Sequence, residues 1–78
     1  MTNYDLASNA TTLKNSPIFK QTITDIQKHL FDQWLNSSPS DANHRETLFL
    51  QLKAVDMIVN QLDSYIFDYQ QQQYEQSE

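Results

Sequence analysis

The chain has 78 residues and a mass of 9.2 kDa, enough for one small domain or one long helical hairpin and too little for two independent units. It contains no cysteine, which excludes disulfides and thiolate metal sites, and no glycine, which excludes phosphate-cradling loops, dinucleotide fingerprints and nucleophile elbows. Ten acidic residues against five basic ones leave a formal charge of −5, which disfavours a surface that coats nucleic acid.

Residues 1–15 form an N-terminal segment. It has no basic stretch followed by an apolar run, so a secretory leader is not expected. Its apolar side chains are Tyr4, Leu6, Ala10 and Leu13, and a short helix is one option for it.

The first marked joint is Asn15-Ser16-Pro17. Proline suits the first helical position because it has no N–H to leave unsatisfied, and Ser16 can cap a helix that starts there. Phe19, Ile23, Ile26, Leu30 and Trp34 then recur at helical spacing, which predicts a helix over about 17–36. Residues 36–41 (Asn-Ser-Ser-Pro-Ser-Asp) carry turn chemistry, and Asp41 or Ser40 is placed to cap the next helix.

The strongest pattern lies beyond that turn. Leu48, Leu52, Val55, Val59, Leu62, Ile66 and Tyr69 are spaced alternately four and three residues apart, a seam of coiled-coil type. Ile58 and Tyr65 lie beside it, Ala54 is on one flank, and Phe49, Leu50, Met57 and Phe67 add apolar surface outside it. A second helix is expected over about 42–71, and residues 72–78 are expected to form a frayed polar tail.

Residues 16–71 therefore read as an all-α antiparallel helical hairpin. The first helix spans roughly 30 Å and the second roughly 45 Å, so the end carrying Leu62, Tyr65, Ile66 and Tyr69 overhangs. Residues 4–13 folded back, or a second subunit, must cover it. A homodimer pairing two hairpins into a bundle is the favoured reading, with Leu48, Leu52, Val55, Val59, Leu62, Tyr65, Ile66 and Tyr69 as its interface and a partner protein as the other claimant.

Catalytic and metal chemistry find no constellation. His29 stands between Asp25 and Asp32 on one helical face, which is read as a solvated polar face with local ion pairs. His44 sits in the first turn of the second helix with no second ligand at chelating distance in sequence. No catalytic, metal or cofactor-binding residue is assigned, and no cofactor is expected. Asp56, Asp63 and Asp68 are read as a solubilising flank, and Lys14, Lys20, Lys28, Arg45 and Lys53 are scattered. Trp34, beside the loop, is expected to plug the closed end of the hairpin, with a partner contact as its other role. No apolar run exceeds three residues, so no membrane span is expected.

From residue 13 onward the order of features is Leu13-x-Asn15-x-Pro17-Ile18-Phe19, then Trp34, then a Ser/Pro loop to Asp41, then Arg45-Glu46-x-Leu48-Phe49 and Leu52-Lys53-Ala54-Val55-Asp56. This order resembles a group of small helical proteins of tailed bacteriophages, encoded among head and packaging genes. Ser16 intervenes here where such proteins usually have Asn directly before Pro, and the second helix here runs into the glutamines at 70–73 rather than toward a glycine. The resemblance implies a non-enzymatic helical hairpin that acts by contact in the host cytoplasm or the virion, with a phage structural protein as partner. A small acidic inhibitor of a host defence or host enzyme is the alternative, and a DNA-packaging accessory the second.

Overall fold

The computed structural model describes residues 1–76, and in them every helix start is set by a side chain that the local sequence supplies. Thr2 and Asp5 form a reciprocal capping box at the head of α1 (Asn3–Asn15). The Thr2 hydroxyl accepts from the Asp5 N–H at 3.0 Å, and the Thr2 N–H donates to the Asp5 carboxylate at 3.2 Å. Ser16 then closes one helix and opens the next. It is extended (φ −65°, ψ 124°), as a residue before proline prefers, and its hydroxyl accepts from the Phe19 N–H at the start of α2 (Pro17–Leu35). Asp41 caps α3 (Ala42–Gln76) by accepting from the His44 N–H at 3.2 Å. No described residue has positive φ, so the loop over 36–41 closes without glycine.

The fold is all-α, with no strand among the described residues. α1 and α2 come one after the other along α3, both antiparallel to it. At one end Tyr4 meets Tyr69 edge-to-face at 5.7 Å, further along Lys14 pairs with Asp63, and at the loop end Trp34 meets Arg45. The lengths match: about 48 Å of α1 and α2 lie against about 52 Å of α3. The result is a rod of 57 × 24 × 19 Å. Its radius of gyration is 17.0 Å, where a compact chain of this length has about 11.5 Å.

Three features differ from the sequence reading. Residues 3–15 are a full helix folded back on α3, so the overhang is covered from within the chain and not left for a second subunit. α3 runs on to Gln76, because glutamine is a good helix former and no glycine or proline stops it; the rest of the expected tail lies outside the described residues. In α2 the inward stripe is Phe19, Ile23, Gln27, Leu30 and Trp34, while Ile26 turns outward.

The core is small. Among the described residues only Ala7, Ala10, Leu48 and Val55 are buried, and α2 has no buried residue.

Candidate interaction surface

The seam residues split into two groups once α1 and α2 are in place. Leu48 and Val55 are buried, and Leu52, Val59, Leu62, Tyr65, Ile66 and Tyr69 are half-buried. Most of this surface, expected to face a second subunit, is thus used inside the chain. α1 takes the far end, where Tyr4, Ala7 and Thr11 share a groove with Ile66 and Tyr69. α2 takes the near end, where Phe19 and Ile23 lie by Val59.

Trp34 is half-buried and closes the loop end, although not against a wholly apolar core. The Arg45 guanidinium lies over its ring, 4.2 Å from the centroid, a cation–π contact that shields both groups. The Arg45 Nε is buried and makes no hydrogen bond among the described residues. On the outer side of Trp34, Phe31, Phe49 and Leu52 complete a small apolar hollow.

The polar candidates stay dispersed. The Asp25 carboxylate accepts from Gln21 Nε2 at 2.7 Å, and His29 Nε2 lies 2.7 Å from Gln33 Nε2, so neither neighbouring aspartate engages the imidazole. His44 contributes only its backbone N–H to the Asp41 cap. Among the described residues no group of three His, Cys, Asp or Glu side chains could hold a metal ion. Of the acidic flank, Asp63 pairs with Lys14, and Lys53 lies over the Phe49 ring at 5.4 Å.

What remains open to solvent is large and apolar. Ile18, Phe31 and Leu35 of α2 are exposed, as are Phe49, Leu50, Met57, Ile58 and Phe67 of α3. The chain exposes 6036 Å², against about 4,900 Å² for a compact monomer of its mass. Part of this surface is a shallow groove on α3 lined by Ala54, Met57, Ile58, Gln61, Leu62 and Tyr65. The sequence carries a signal for it, since Leu50, Ala54, Met57, Ile58 and Tyr65 recur at helical spacing beside the seam, but the seam's stronger period dominates.

Comparison with protein-family models, with curated proteins and with solved structures returns no match. Among the described residues no helix is long and apolar enough to cross a membrane.

Proposed function

We propose that this chain works by protein contact rather than catalysis, as an assembly component of a tailed-bacteriophage particle. One observation carries the contact reading: a rod this small leaves large apolar side chains of all its helices in water and keeps only a thin core for itself. Surface of that kind marks a binding site more often than an idle face. The order of motifs from Leu13 to Asp56 supports the phage setting, and the acidic balance favours protein over nucleic acid as partner. A phage structural protein, met in the host cytoplasm or in the virion, is the partner this reading implies.

A stop codon placed in the gene within the phage that encodes it tests the reading. Electron microscopy of the lysate should show incomplete or missing heads. Normal heads, with growth lost only on hosts that carry a defence system, would replace assembly with inhibition. Complete but empty heads would point to DNA packaging.

A further inference from the structure

Resting on the contact reading, we propose that the loop end of the rod recognises a carboxylate that stands beside a large apolar side chain on a partner protein. The apolar side chain enters the hollow walled by Phe31, Trp34, Phe49 and Leu52, and the carboxylate meets Arg45.

Size sets the first half of this occupant. The hollow holds about 220 Å³, below the ~300–1,000 Å³ of a small-molecule site, so it suits one side chain rather than a free ligand. Phe31 and Phe49 are 51% and 50% exposed, which leaves their rings open to a visitor. Arg45 itself lines an adjoining hollow with Trp34 and Phe49, so the cation and the apolar walls belong to one continuous surface.

The state of Arg45 sets the second half. Lys20, Lys28 and Lys53 also lack an ion-pair partner among the described residues, but they are exposed and water can serve them. Arg45 is half-buried, and its Nε is shut off from solvent with no hydrogen bond. A partly desolvated charge without an acceptor is unfavourable, and an incoming anion relieves it. The chain's own carboxylates do not. Asp41, one turn earlier, accepts from the His44 N–H as the cap of α3, and Glu46 and Asp56 pair with neither Arg45 nor Lys53.

The guanidinium is also held ready. Its stacking on the Trp34 ring, 4.2 Å from the centroid, fixes its plane. Its two terminal nitrogens make no hydrogen bond and are not sealed as Nε is, so the fork that a carboxylate bridges is open. Lys53 over the Phe49 ring adds a second positive charge at the rim of the hollow. The net charge of −5 selects a single carboxylate over a polyanion such as nucleic acid.

Trp34 is the chain's one tryptophan, so its fluorescence reads this site directly. The probes are N-acetyl-Leu-Phe with a free C-terminal carboxylate and the same dipeptide as its amide. With the full chain, the acid should change Trp34 emission saturably, and the amide should bind about tenfold more weakly for want of a charge-assisted hydrogen bond. Arg45→Gln should remove the preference for the acid, whereas Phe31→Ala should weaken both probes alike. Lys14→Gln, away from the hollow, should change neither. Circular dichroism checks that each variant keeps its helix, and calorimetry repeats the titration independently of Trp34. The proposal is overturned by equal binding of acid and amide, or by no saturable signal up to the solubility limit. It is also overturned by a preference that survives Arg45→Gln or falls equally with Lys14→Gln, or by an oligothymidylate that binds more tightly than the acid. Assembly is judged separately, by the heads in the lysate, so either reading can fail while the other stands.

Discussion

α1 and α2 meet the same partner helix in opposite ways. α1 brings small side chains to the contact, and both Ala7 and Ala10 are buried. α2 brings Phe19, Ile23, Leu30 and Trp34, and none of them is better than half-buried. Small residues let two helix backbones approach until the interface closes, whereas large ones hold the helices apart and stand partly in water around the contact. The shorter helix is therefore sealed on α3, and the longer, more apolar one is only leaning on it. Apolar content is a poor guide to burial when a chain has just two layers to work with.

The largest effect that would disturb this contrast lies at the buried leucine of α3 nearest the loop that joins it to α2. Leu48 is 2% exposed, near the loop end of α3. Leu48→Ala should cost about 2–5 kcal/mol, which is most of what a core of this size supplies, about 3–5 kcal/mol. Urea denaturation monitored by circular dichroism should show the variant largely unfolded at room temperature, and a loss below about 1 kcal/mol would mean that the loop end packs more loosely than its burial indicates.

A sharper comparison enlarges one side chain under each short helix. Ala10→Leu inserts three carbons into the sealed contact and should cost about 1–3 kcal/mol by overpacking. Thr24→Leu adds apolar bulk at the open groove where Lys20 and Ile23 flank Val59, and it should be neutral or stabilising. Equal losses in the two variants, measured as shifts in melting temperature, would erase the distinction between the contacts.

The smallest effect concerns the ion pair that ties α1 to α3. Lys14 and Asp63 both keep substantial exposure, so Lys14→Ala should cost about 0–1 kcal/mol and less still at high salt. If its loss instead released α1, fast amide exchange confined to residues 3–15 would reveal it, and the alanine contact would not be what seals that end.

Much of the fold can be read from local chemistry. Ser16-Pro17 sets the joint, Asp41 caps α3, and the seam from Leu48 to Tyr69 names the face on which the other helices lie. α1 is less legible because a face built on alanine gives almost no amphipathic signal. Its best markers are Thr2 and Asp5 at capping spacing and the short side chains of Ala7 and Ala10 one turn apart. Its place against Ile66 and Tyr69 is a contact between the two ends of the chain, which no local pattern specifies. The same gap explains the interaction surface. Without the fold-back the seam looks unfilled, and the flank beside it, from Leu50 to Tyr65, looks like its margin.

The backbone conformation has a consequence for how this sequence can change over time. With no described residue at positive φ and no glycine in the chain, no described position is reserved for one particular amino acid on steric grounds. Side-chain demands are concentrated at a few sites: the caps at Thr2, Ser16 and Asp41, the paired alanines, and Leu48 and Val55. The half-buried seam and the inward stripe of α2 ask only for apolar bulk, and on the exposed helix faces any adequate helix former will serve. Lineages carrying this rod can therefore drift far apart in sequence while holding its shape, and few fixed letters remain by which distant cousins could be aligned.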